Sequence, residues 1–134
     1  MSQAYIDKLA YIYLKDHKVL ETRSHGKDTW YIPGGKRESG ESDIQALMRE
    51  VREELSVTLK PNTIKHYGTF EAQAHGKPEG TFVRMTCYQA EFDGEFRPSA
   101  EVEELAYFSY ADKGRTSPVG QLIFEDLKAK DLID

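Results

Sequence analysis

The chain has 134 residues, 39% of them hydrophobic and 31% charged, which fits one globular domain over residues 1–134 with a core of its own. No apolar run approaches the roughly 20 residues of a membrane span, which argues against a membrane partner. The net charge of −5 argues against binding a nucleic-acid polymer, since such binders need a basic stripe.

The N-terminus, MSQAYIDKLA, lacks a basic stretch followed by an apolar one, and this points to the cytoplasm. Tyr5 to Leu14 alternates apolar and polar residues, Asp16-His17-Lys18 is a polar break, and Val19 to Thr22 resumes. That pattern predicts two strands of a hairpin. His25 to Asp28 reads as a loop. Trp30-Tyr31-Ile32 reads as a short strand stopped by Pro33-Gly34-Gly35. A helix is predicted over Ser42 to Leu55, with Ser42 as its cap and Gln45 closing a capping box. Ile64 to Ala74 and Phe82 to Phe92 predict two long strands around a glycine-containing loop at 75–80. The only cysteine, Cys87, falls on the second of them and reads as a buried thiol. Leu105 to Ser109 predicts another strand. Pro118 to Leu132 predicts a closing helix with Val119, Leu122, Ile123 and Leu127 on one face. This order predicts an α/β protein with a mixed sheet between helices, rather than a doubly wound parallel fold.

At 100° per residue, Ile44, Leu47, Met48, Val51 and Leu55 form the core stripe of the first helix. Glu50, Glu53 and Glu54 stand at i, i+3 and i+4 and share another face. Like charges at that spacing cost roughly 0.2–0.5 kcal/mol per pair, and more when partly buried. Arg49, one turn before Glu53, offsets part of this by a salt bridge. A divalent cation would offset more, and Mg²⁺ prefers such oxygen donors. The four histidines are scattered, so no zinc-type cluster competes. Taken alone, the run Arg49–Glu54 reads better as the solvated side of an ordinary helix.

The spacing upstream changes that weighing. Gly35 is followed after five residues by Glu41, then after seven by Arg49-Glu50-Val51, and then by Glu53-Glu54, Ser56 and Val57. This resembles the Nudix box, G-x5-E-x7-R-E-U-x-E-E-x-G-U, where U is a bulky aliphatic residue. Trp30-Tyr31-Ile32-Pro33-Gly34 resembles the lead-in of the MutT-like branch. One position departs: Ser56 stands where the family has glycine. The family glycine ends the helix in a left-handed conformation, which costs a side chain roughly 1 kcal/mol.

The resemblance implies a Nudix fold (α/β/α) and hydrolysis of a nucleoside diphosphate linked to another group. The implied cofactor is Mg²⁺, with Mn²⁺ as the alternative. It implies metal binding by Glu50, Glu54 and the Gly34 carbonyl, with Glu53 as a further ligand or the residue that positions water. Arg49 is implied to orient a catalytic glutamate, Glu41 to support the loop–helix junction, and Gly35 to permit a tight turn. Family members recruit one more acid from a later loop. Glu101 is preferred here as general base or third ligand, with Glu103 and Glu104 as alternatives and solvated loop acids as the plain reading of all three. Arg23, Lys36 and Lys27 are candidates for phosphate contact. Tyr31, Phe70, Phe82 and Tyr88 are candidates for base stacking, though aromatic residues at strand spacing are more often core.

The proline and tyrosine markers of the ADP-ribose and diadenosine polyphosphate subgroups are replaced by Ala72 and Gln73. A nucleoside triphosphate, an oxidised purine nucleotide included, is the expected small-molecule partner, cut to monophosphate and pyrophosphate. The alternatives are a nucleotide sugar, ADP-ribose or a dinucleotide as substrate, or a binding module without turnover. Oligomeric state is not legible.

Overall fold

The computed structural model describes residues 4–134; the first three residues of the N-terminal stretch read above lie outside them. β1 (Ala4–Tyr11) runs parallel to β7 (Thr81–Gln89) and antiparallel to β4 (Gly34–Gly35). β6 (Lys65–Gln73) completes a mixed sheet of order β4-β1-β7-β6. A second sheet, β2-β3-β9, joins β2 (Leu14–Lys15), β3 (Lys18–Ser24) and β9 (Val102–Phe108). β5 (Thr58–Leu59) pairs with β8 (Phe92–Asp93). Helices α1 (Asp43–Leu55) and α2 (Pro118–Ala129) complete the fold, with 3-10 turns at Pro61–Thr63 and Tyr110–Arg115.

The helices cover opposite faces because strand side chains alternate. Leu9 and Tyr11 of β1 join Leu47, Val51 and Leu55 of α1 in one core. Ala10, on the other face, joins Val83 and Met85 of β7 and Ile123, Phe124 and Leu127 of α2 in a second. The predicted mixed sheet between helices is therefore present. Cys87 is buried in the second core, and desolvation pushes its thiol up to about 12.

The capping box of α1 forms as expected. Gln45 N–H donates to Ser42 Oγ at 3.1 Å, and Ser42 N–H donates to Gln45 Oε1 at 2.9 Å. Ile44 and Met48 of the predicted stripe are only half-buried, whereas Ala46 and Glu54 are buried.

Three expectations need correction. The N-terminal hairpin is β2–β3, turning through Asp16 and His17 at φ 52° and 58°; β1 instead crosses into the other sheet. Trp30 and Tyr31 make isolated bridges to Thr116 and Thr22 rather than a strand, since proline follows at once. β9 begins at Val102 rather than Leu105, because Arg23 and Ser24 continue the pairing past a bulge.

Candidate active site

Pro33 and the paired glycines reduce β4 to two residues, and the backbone there passes very close to its neighbours. Gly34 has φ 149°, and a Cβ on it would fall into the backbone of Leu9 and Ala10. Its N–H donates to Glu54 Oε1 at 2.9 Å. A Cβ on Gly35 would lie 2.5 and 2.7 Å from the two carboxylate oxygens of Glu50. Gly35 therefore serves close approach to Glu50; its φ is not positive, so the expected turn is not its reason.

Arg49 organises the acids around it. It donates to both carboxylate oxygens of Glu41 at 2.7 and 2.8 Å, to Glu50 Oε1 at 2.9 Å and to the Lys36 carbonyl at 2.9 Å. Glu53, the expected partner, is a more distant contact at 3.4 Å. Glu41 also accepts from Glu38 N–H at 2.7 Å. The bonds from Arg49, aided by that N–H, pull the Glu41 carboxyl down to about 2. Glu41 and Arg49 thus clamp the loop to the helix.

Glu54 is 7% exposed. Desolvation pushes its carboxyl up to about 8, against the Gly34 N–H, and the charges of Glu50 and Glu101 add to the rise. Glu50 is raised as well, by burial first and by Glu53 and Glu101 further down, opposed by Arg49. Glu101 lines a recess of about 150 Å³ with Glu54, Gly34, Lys8, Thr22 and Ser24, so residues from α1, both sheets and the loop before β9 meet there.

No three His, Cys, Asp or Glu side chains among the described residues stand close enough to form a metal cluster as placed. Glu50 is drawn to Arg49, and Glu54 to Gly34. The donor chemistry nonetheless fits a hard divalent cation. Carboxylates repel one another in a desolvated recess, and the backbone beside Glu50 is one that a Cβ would block.

The loop carrying Glu101 is tied to the end of α1. Ser56, at φ 65° and ψ 17°, is the left-handed cap expected there. Its Oγ lies 3.1 Å from the Arg97 carbonyl and 3.2 Å from Ser99 Oγ. Ser99 Oγ donates in turn to the Glu53 carbonyl, Arg97 N–H to Leu55 O and Ser99 N–H to Glu54 O.

The other expected contacts are distributed unevenly. Arg23 is not brought into the recess: Thr22 and Ser24 line it, while Arg23 donates to Glu104 at 2.7 Å and pairs with Glu103 at 2.9 Å. Those two acids are thereby engaged away from the recess. Lys27 gives its carbonyl to Arg23, and the side chain of Lys36 is exposed. Of the stacking candidates, Tyr31 borders this recess and an adjoining one of about 110 Å³, walled by Ile6, Val83, Met85 and Val119. Gln73, His75 and Ser117 supply polar edges to the second recess. Phe70 packs toward α2, Phe82 lies against Tyr5, and Tyr88 donates to Asp43.

Sequence reasoning missed Lys8, which borders both recesses. The signal was present: Ile6, Lys8 and Ala10 share one face of β1, and a lysine interrupts an otherwise apolar row.

Short glycine strand, acid helix and tethered loop together define a Nudix-type architecture. The NUDIX domain model matches residues 8–122, and the chain belongs to the Nudix family. The uncharacterized Nudix hydrolase YvcI of Bacillus subtilis is 36% identical over 97 residues, covering 72% of this chain and 61% of that protein. The Homo sapiens protein named 8-oxo-dGDP phosphatase NUDT18 is 37% identical over 46 residues, 34% of this chain and 14% of its own length. Among solved structures, the MutT protein of Methanosarcina mazei Go1 aligns with a TM-score of 0.75 at 19% identity, covering 98% of each chain. At that identity the likeness speaks to the fold. No helix among the described residues is long and apolar enough to cross a membrane.

Proposed function

We propose that the chain is a divalent-metal-dependent hydrolase that cleaves a nucleoside triphosphate, an oxidised or non-standard deoxynucleotide included, to a monophosphate and pyrophosphate. The carrying observation is the pair of adjoining recesses, one lined by Glu54 and Glu101, the other walled by Ile6, Val83 and Met85. A polyanion held by metal suits the first, and a flat, largely apolar group suits the second.

Glu50, Glu54, Glu53 and the Gly34 carbonyl are the groups that would hold Mg²⁺ or Mn²⁺. When bound, such an ion supplies charge neutralisation on phosphate oxygens and acidifies water. The chain's own work is positioning. Arg49 fixes Glu50, Gly34 N–H fixes Glu54, and the tethered loop holds Glu101 at the recess that Glu54 lines, where in this reading it takes the proton of the attacking water. Lys36 and Gly35 border the phosphate path in this reading. The domain extends over residues 1–134, and the cytoplasm is its setting.

The test is a panel of canonical and oxidised nucleoside triphosphates, nucleotide sugars and dinucleotides with Mg²⁺ or Mn²⁺, read by pyrophosphate and orthophosphate release. Pyrophosphate with monophosphate from a triphosphate is expected. A nucleoside diphosphate substrate is the second reading, favoured by the relative whose name records one; orthophosphate release from a diphosphate would select it. No turnover of any member would leave a binding module.

A further inference from the structure

Lys8 is a charged residue in a core-facing row, and burial makes its placement costly. Ile6 and Ala10 on either side of it pack into the core that α2 covers. Its partner across the parallel pairing is Met85, which borders both recesses as Lys8 does. A half-buried ammonium in such a row is normally met by a hydrogen bond or an ion pair. Lys8 makes neither among the described residues. Glu54, Glu101 and Glu50 act on it electrostatically, yet none is at ion-pair distance, while Lys36 opposes them. The ammonium therefore stands between an acid recess and an apolar one with its donors unused.

Three uncommitted donors on a flexible stem suit a phosphate oxygen, which lysine binds as a point charge. The position also selects which phosphate. In the proposed reading the acids take the metal-bearing end of the substrate, and the recess lined by Tyr31, Val83 and Met85 takes the apolar end. Lys8 sits at the junction, where the phosphate attached to the nucleoside must lie. We infer that Lys8 is the anchor of that inner phosphate, the one esterified to the nucleoside. This inference rests on the hydrolase reading for its kinetics, but not for its binding.

The experiment uses Lys8→Met, Lys8→Gln and Lys8→Arg in the full chain. The probes are α,β-methylene analogues of ATP and GTP, inorganic triphosphate, and Mn²⁺ without nucleotide. Loss of a charge-assisted hydrogen bond predicts that Lys8→Met and Lys8→Gln weaken analogue binding, and raise KM, by about tenfold or more. Lys8→Arg recovers most of the affinity, inorganic triphosphate binds the unaltered protein more weakly than the analogues, and Mn²⁺ affinity is not weakened in any of the three variants. The Mn²⁺ arm identifies mere charge balance: if Lys8 only offsets the acids, Lys8→Met tightens Mn²⁺ and leaves analogue affinity alone, which overturns the inference. Inorganic triphosphate that binds the unaltered protein as well as the analogues do, and loses as much affinity in Lys8→Met, overturns the assignment to the nucleoside-linked phosphate. If the unaltered protein binds the analogues but cleaves no triphosphate, the hydrolase reading fails, and the loss of binding in Lys8→Met still sustains the anchor. If it binds none of them, both fall.

Discussion

Gly35 and Glu50 are in such close contact that a single added carbon on the glycine would lie 2.5 Å from a carboxylate oxygen. The glycine's missing side chain is thus part of the geometry of the acid. Gly35→Ala is expected to push Glu50 off its bond with Arg49. A displacement of about 1 Å at a reacting centre can cost about 10²-fold in rate. Turnover should fall by that order while the melting temperature changes little; wild-type turnover in a folded Gly35→Ala protein would refute the relation.

Removing the acids separately distinguishes chemistry from packing. Glu54→Gln retains an oxygen for the Gly34 N–H and removes a carboxyl whose ionised form burial disfavours, so the metal-free protein should be as stable as the parent or more so. Its turnover should nevertheless drop by orders of magnitude. Glu53→Gln, on an exposed side chain, should leave stability unchanged and also lower turnover strongly. Thermal melts without metal and initial rates with Mg²⁺ check both, and chelation should abolish the parent's rate reversibly.

A pH effect is expected from a further buried acid. Glu21 is fully buried, and Thr116 Oγ1 lies 2.6 Å from its Oε1 and 3.1 Å from the Trp30 carbonyl. The hydroxyl has a single proton. If that proton goes to Trp30, Glu21 must bring its own, which agrees with desolvation pushing its carboxyl up to about 8. Between the ordinary value of 4.5 and about 8 the folded chain holds a proton that the unfolded chain releases. Stability contributed by Glu21 is therefore complete at low pH, declines through that window and is flat above it. The urea midpoint of the parent should fall between about pH 4.5 and about pH 8 more steeply than that of Glu21→Gln. Parallel curves would show that Glu21 contributes no such slope.

The fourth prediction concerns the loop before β9. Ser99→Ala removes a hydroxyl that joins Ser56 to the Glu53 carbonyl. Turnover should fall several-fold, with KM and metal affinity near those of the parent. Ser56→Gly keeps the left-handed cap and relieves roughly 1 kcal/mol of strain. It also loses the tether, so stability should stay near the parent's while turnover follows Ser99→Ala.

The helix and its acids were legible in the sequence because every signal there is local. The cap, the box partner, the apolar stripe and the charge spacing all lie within a few turns. Arg23 was not, because its direction depends on strand phase: one residue either way faces the recess, and Arg23 itself meets Glu103 and Glu104 from β9. Lys8 broke a legible apolar row, but that it borders a recess beside Glu54 and Glu101 depends on chain pairings distant in sequence. The N-terminal hairpin was misassigned because alternation identifies a strand but not its partner. β1 pairs with a strand more than seventy residues away.

Ser56 has a further consequence for how errors in placement propagate. The hydroxyl ladder and the two backbone bonds fasten residues 97–99 to the last turn of α1. Glu101, just beyond, is carried on the same body as Glu50, Glu53 and Glu54, although more than a third of the chain separates them. A tremor that rocks this helix against the sheets carries all four carboxylates along, and their mutual spacing survives it. Cutting the ladder would let the fourth acid drift independently, so the damage would surface in catalysis well before it registered in melting.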